Sequence, residues 1–230
     1  MQSACCLRSE PQSGGRHKKT RYIVLAEPAR HYVAIADAAT QRIVWTWDVS
    51  KSGLPAEHRN WFNCPTEIKP VYGGLCILVV SNGGIGLIRI ADDVCADCWR
   101  RYLYYAASGG GFPHSAEVLP DGNIAVACST SNTPAGDKLK IYRVDYDRFP
   151  ATEAVAVYPL KSGHNVVWDR KNKVLWATAY TTLNAYAYGL KEGVPALTLC
   201  ESLPLPDGGA DPHDLFPAYG ERNLWLTTSK

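Results

Sequence analysis

No apolar run in this sequence approaches the roughly 18–20 residues that a bilayer-spanning helix needs. Nor is there an excess of either charge. Lys and Arg number 24 against 22 Asp and Glu, a formal charge of +2, so no general pull toward nucleic acid or an anionic membrane is expected. Sustained 3.6-residue periodicity is also missing, which argues against a helical bundle. The sequence contains no G-x-S-x-G elbow, no P-loop and no H-E-x-x-H. Gly109-Gly110-Gly111 precedes a strand-like run and reads as a flexible loop, not a phosphate cradle. The eight cysteines are scattered, and Cys95-Ala-Asp-Cys98 is the lone C-x-x-C. A structural zinc site wants a second such pair, and a redox pair wants a helix N-terminus. Cys95 and Cys98 lie between strand-like runs and read as a turn pair or local disulfide, while Cys5-Cys6 in the tail says little. Met1 to Thr20 is polar, carries Arg16-His17-Lys18-Lys19, and lacks the apolar centre of a secretory signal. It reads as a disordered basic tail of residues 1–20, leaving localisation open.

What is present favours strands. Nearly half the residues are hydrophobic, with 13 Tyr and 7 Trp, 19 Gly and 15 Pro. That balance suits short strands and tight turns. Three segments repeat: Pro113-His114-Ser115-Ala116-Glu117-Val118, then Ile124–Cys128; Gly163-His164-Asn165-Val166-Val167-Trp168, then Val174–Thr178; and Pro212-His213-Asp214-Leu215-Phe216, then Asn223–Thr228. Each has a His, a short strand, a polar turn and a β-rich strand ending near hydroxyl residues. The histidines are 50 and 49 residues apart. A weaker fourth copy, Pro65-Thr66-Glu67-Ile68-Lys69 leading into Leu75–Ser81, has Thr66 in the His position. Two further strands follow each of the copies that begin at Pro65, Pro113 and Gly163, in the last case near residues 183–188 and 197–200. Spacings near 40–50 residues with strand-only content predict an all-β fold, a β-propeller of four-stranded antiparallel blades.

Residues 21–230 then divide into three full blades and two partial ones. Three N-terminal runs near residues 22–49 match the outer three strands of a blade, and the C-terminal end supplies the inner two strands of another. Six blades at this spacing would need on the order of 290 residues, so the chain reads as an incomplete six-bladed propeller, truncated at its C-terminus. Open edges and a lost inter-blade contact lead to the expectation that this chain alone is aggregation-prone.

The runs Asn60-Trp61-Phe62-Asn63, Ser81-Asn82-Gly83-Gly84-Ile85-Gly86, Gly110-Gly111-Phe112-Pro113-His114-Ser115-Ala116-Glu117 and His213-Asp214-Leu215-Phe216-Pro217 resemble those of a domain-of-unknown-function family of single β-propellers from bacteria and fungi. The resemblance covers about residues 22–229. It implies six blades and an extracellular setting, and leaves the activity open.

Propellers bind ligands where inter-blade loops meet the innermost strands. His114, His164 and His213 should therefore share one height around the axis. Neighbouring strand residues point opposite ways, so a ring of Glu67, Ser115, Asn165 and Asp214, one residue further on, is the alternative. Three neutral imidazoles suit Zn or Mn, and an oxygen set of Glu67, Asn165 and Asp214 suits Ca. The His ring resembles the metal site of propeller-fold pectate-type lyases, and the oxygen ring is similar in type to that of six-bladed lactonases. Repeat histidines that merely fix blade geometry are the competing reading. Lys69 and Glu117 share a repeat position, where they could form a salt bridge across the channel or act as acid and base. Trp61, Phe62 and Phe112 lie in loops entering blades, placed for sugar stacking or for packing between blades. Two functions follow. One is a carbohydrate-directed enzyme or binder with an axial polar or metal site, lyase-like if a cation neutralises a uronate while a His removes the adjacent proton. The other is a non-catalytic scaffold with a protein partner.

Overall fold

The structure is a computed structural model, and it describes residues 21–52, 54–90, 103–108, 110–129, 132–148, 150–218 and 222–229. The tail 1–20, Gly109 and the Cys95/Cys98 pair lie outside the described residues. The described strands form five antiparallel sheets, each sheet's strands paired in chain order. The first holds β1 (Tyr22–Glu27), β2 (Tyr32–Asp37) and β3 (Ile43–Asp48). The second holds β4 (Pro65–Val71), β5 (Cys76–Ser81), β6 (Gly84–Arg89) and β7 (Leu103–Ser108). The third holds β8 (Pro113–Val118), β9 (Ile124–Cys128), β10 (Lys138–Tyr142) and β11 (Ala156–Pro159). The fourth holds β12 (Val166–Asp169), β13 (Val174–Ala179), β14 (Thr182–Lys191) and β15 (Val194–Pro204). The fifth holds β16 (Pro212–Pro217) and β17 (Leu224–Thr228). This is the β-propeller of four-stranded blades that the repeat predicts.

The core lies between blades. Leu78, Val80 and Leu87 of the second sheet pack against Ala116, Ile124 and Val126 of the third. Ala125, Leu139 and Ile141 pack in turn against Val166, Leu175 and Ala177 of the fourth. Val33, Ile35 and Trp47 pack against Ile77, Val79 and Ile88. Strands β5 and β9 are therefore covered on both faces, with every residue buried. That explains why Cys76–Ser81 and Ile124–Cys128 read as continuous apolar runs without alternation. Among the described residues, Trp47 Nε1 is the one buried side-chain N or O atom lacking a hydrogen bond. Its ring meets Phe62 in a T-shaped contact at 5.4 Å.

Aspartates organise the turns. Asp37 Oδ1 accepts from the backbone N–H of Ala39 and Thr40, and Asp169 Oδ1 from those of Lys171 and Asn172. These are turns in which a side chain replaces a backbone acceptor. The fourth sheet departs from the short outer strands expected near residues 183–188 and 197–200. Its β14 and β15 run 10 and 11 residues. They are joined by Glu192-Gly193, both left-handed (φ 54° and 78°), a two-residue turn whose twist matches that of the strands and lets the hairpin extend.

Candidate functional site

The innermost strands β4, β8, β12 and β16 begin at one end of the axis, and β4, β8 and β16 begin irregularly. In β4 the pairing register skips between Pro65 and Glu67, in β8 between Pro113 and Ser115, and in β16 between Pro212 and Leu215. The bulged residues are Thr66, His114, and His213 with Asp214. In the fourth sheet Asn165 gives its backbone N–H to Thr178 Oγ1 at 2.8 Å, and Asp214 gives its own to Thr227 Oγ1 at 3.0 Å. Both hydroxyls lie 13 residues after the N–H they receive. Two residues before each His the backbone is left-handed at a non-glycine residue: Phe112 (φ 56°), Ser162 (φ 46°) and Asp211 (φ 58°). Each such residue costs about 1–2 kcal/mol. Bulges commonly re-aim a side chain beside a functional site. In the third blade the bulge accompanies His114 in the imidazole row and Ser115 in the network beneath it, where an unbroken strand would present one of the two. Both rings considered from the sequence are thus partly built, at adjacent levels.

The outer level is a row of imidazoles. The His114 and His164 ring centroids are 4.1 Å apart, and those of His164 and His213 are 4.6 Å apart. Successive rings tilt by 45° and 41°. Burial, then the neighbouring imidazoles of His164 and His213, push His114 down to about 4. Burial and His213 lower His164 as well, against the upward pull of Asp211 and Asp214. Near neutral pH His114 is therefore an uncharged imidazole, with one N–H donor and one acceptor.

This arrangement has a pH consequence. An unfolded chain protonates its histidines near pH 6.5, whereas folded His114 resists until about pH 4. The unfolded state then binds more protons in that window, so stability is full above pH 6.5 and falls as the pH drops toward 4. Because His114 is only partly buried, the loss is expected to be only about 1–2 kcal/mol after solvent screening. Urea unfolding at neutral pH and at about pH 5 measures it. A His114→Gln variant should show a smaller loss, and an equal loss would assign the acid sensitivity elsewhere.

The deeper level is a polar network across three blades. Ser115, fully buried, places Oγ 2.9 Å from Glu67 Oε1 and 3.2 Å from Asn165 Oδ1, and accepts from the Val166 backbone N–H at 3.3 Å. Glu67 Oε2 accepts from the Ala116 backbone N–H at 3.0 Å. Lys69 Nζ lies 2.9 Å from the carbonyl oxygens of both Ala116 and Val166, and 3.2 Å from Ser115 Oγ. It also pairs with Glu67 at 3.4 Å and Glu117 at 3.5 Å. The Lys69–Glu117 salt bridge considered from their shared repeat position is formed. Burial raises the Glu117 carboxyl above its ordinary value, opposed by Lys69.

The imidazole row holds successive ring centroids slightly closer than the roughly 5 Å that two imidazoles on one tetrahedral zinc would keep. For the oxygen set, the Lys69 ammonium already stands against Glu67, and Asp214 is exposed with its backbone N–H directed to Thr227. Among the described residues, no group of three or more His, Cys, Asp or Glu is disposed to hold a metal ion.

The aromatic candidates separate. Trp61 packs against the core between the first two blades and contacts the His58 ring at 4.4 Å. Its Cβ lies 2.9 Å from where a Cβ on Gly84 would sit, so that turn closes on the indole. Phe62 is buried. Phe112 is 52% exposed, two residues before His114. Sequence reasoning missed Thr178 and Thr227, although their constant distance from the axial positions is visible in the repeat, and it missed the carbonyls of Ala116 and Val166, which carry no side-chain signal.

Comparison with known proteins supports the fold. A candidate 6-phosphogluconolactonase from Bacteroides uniformis superposes with a TM-score of 0.56 at 13% identity, over 91% of this chain and 61% of that one. Kuenenia stuttgartiensis hydrazine synthase gives 0.55 at 15%, over 84% and 47%. A Bacteroides caccae protein of unknown function gives 0.52 at 16%, over 87% and 63%. A stretch of 106 residues is 26% identical to the leucyl/phenylalanyl-tRNA–protein transferase of a Synechococcus species, 44% of this chain and 54% of that protein. The chain thus spans about half to two thirds of the length of these proteins. Residues 15–230 match a family of unknown function, DUF6528, and the chain belongs to that family.

Proposed function

We propose that the protein is a carbohydrate-directed binder whose ligand sits over the imidazole row at the axial mouth. The observation that carries this reading is the repeated device of a left-handed residue followed two positions later by an imidazole in ring contact with its neighbour. Histidines that only fixed blade geometry would not need three strained positions. Neutral imidazoles pair with hydroxyl groups as both donor and acceptor, and exposed Phe112 offers an apolar face to a sugar ring. Glu67 and Glu117 outnumber the Lys69 ammonium that pairs with them, and Asp211 and Asp214 add negative charge beside His164. This balance favours neutral or amino sugars over uronates. A lyase would need a free cation to neutralise a uronate, and Lys69 is engaged with two carboxylates.

Calorimetry with neutral, amino and uronic oligosaccharides tests the reading. Binding of the first two classes, weakened at least about tenfold by His164→Ala, is expected. Binding of no class would sink it. Incubation with uronate polymers should yield no unsaturated product.

A scaffold is the second reading. The outermost strands expose Val44, Val157 and Leu199, each more than half accessible, and such residues suit a protein partner on the rim. Leu199→Lys would abolish partner capture under this reading and leave sugar binding unchanged.

A further inference from the structure

We propose that Lys69 is the resident cation of the propeller axis, its ammonium filling an oxygen cage that would otherwise take a divalent ion such as Ca. The inference rests on the deeper network alone and holds whatever binds at the mouth. Five oxygens from three blades surround Nζ within 3.5 Å: two carbonyls, one hydroxyl and two carboxylates. An all-oxygen, irregular shell of this number is what a hard cation such as Ca prefers, given room for water to complete it. An ammonium has three N–H donors. The carbonyls of Ala116 and Val166 and the Ser115 hydroxyl take them at 2.9–3.2 Å, and the two carboxylates stand slightly further off as charge partners.

The charge count points the same way. Glu67 and Glu117 carry two negative charges where Lys69 supplies one positive charge, so the cage retains a deficit that a divalent ion would cancel. Glu67 is itself fixed by Ser115 Oγ and the Ala116 N–H, and this holds the cage in shape independently of the lysine. The lysine reaches from β4 to the carbonyl of Val166 in β12, 97 positions along the chain. One flexible side chain thus ties the innermost strands of three blades without recruiting an ion from solution.

The test is to empty the cage. Full-length Lys69→Ala, purified in chelator, should melt about 10 °C below the wild type. Calcium on the order of 1–10 mM should restore at least half of that difference. Titration calorimetry should show a saturable uptake that the wild type lacks. Lys69→Met replaces the aliphatic stem without a charge and should melt low and ignore calcium. Indifference of the alanine variant to calcium would overturn the proposal. So would equal uptake by the wild type, or an equal response of the methionine variant. Should the alanine variant not fold in chelator, refolding from urea decides. Recovery only with calcium supports the proposal, and failure both with and without it overturns it.

Discussion

Lys69→Met is expected to lower the unfolding free energy by about 3–5 kcal/mol, the usual effect of removing one partner from a buried charged network. Methionine is one heavy atom shorter than lysine and replaces its aliphatic stem, so little packing is lost. What goes is the donor to the carbonyls of Ala116 and Val166 and the charge between Glu67 and Glu117. Two carboxylates are then left facing each other with no cation between them. Glu117 is already raised by burial and is held down by Lys69, so the variant should push it further up. The deficit should therefore shrink as the pH falls through the carboxylate range, because a protonated Glu117 no longer repels Glu67. Adding Glu117→Gln to the methionine variant should recover part of the loss, and a double-mutant cycle isolates the pair. A loss below about 1 kcal/mol in urea unfolding would place Lys69 among ordinary surface ion pairs and sink this account.

Gly111→Ala is expected to be nearly as damaging, at about 3 kcal/mol or more. Gly111 is left-handed (φ 81°), and a Cβ there would sit 2.3 Å from the backbone carbon and oxygen of Ala135. Backbone cannot rotate away as a side chain can, so one of the two segments must move. The displaced loop also carries the Gly110 carbonyl that accepts from buried Lys140 at 2.7 Å, and it leads directly into Phe112 and His114. The change should consequently loosen the His114–His164 contact as well as lower stability. Gly193→Ala is the control. Its φ is 78°, but nothing lies within 4 Å of the added carbon, so only the conformational term of about 1 kcal/mol applies. Similar losses in the two variants would show that the crowding against Ala135 is unimportant.

Much of the fold is written in the repeat. The spacing of His114, His164 and His213 places three blades, and the unbroken apolar runs at Cys76–Ser81 and Ile124–Cys128 mark strands covered on both faces. The imidazole row could be anticipated on the same basis. Its coexistence with the Glu67–Ser115–Asn165 level could not, because strict alternation along a strand allows one or the other. Left-handed residues precede each His at Phe112, Ser162 and Asp211, and these have nothing in common as side chains. The Lys69 shell was half visible: Glu117 shares its repeat position, but two of its acceptors are backbone carbonyls, which every residue has. Asp214 illustrates the opposite error. It occupies the right repeat position, yet it is exposed and its backbone N–H bonds Thr227 of its own sheet.

The bulges at the heads of β4, β8 and β16 separate two kinds of inheritance. Where one residue per blade faces an axis, any change of chemistry at the mouth is also a change in what holds the ring together. With two, the first can drift while the second stays. The chain already contains one such drift: the second blade carries Thr66 where its neighbours carry an imidazole, yet the residue beside it, Glu67, remains bonded to Ser115 and Ala116 of the next blade. Ligand preference in related proteins can thus diversify at the outer position without renegotiating the assembly of the blades.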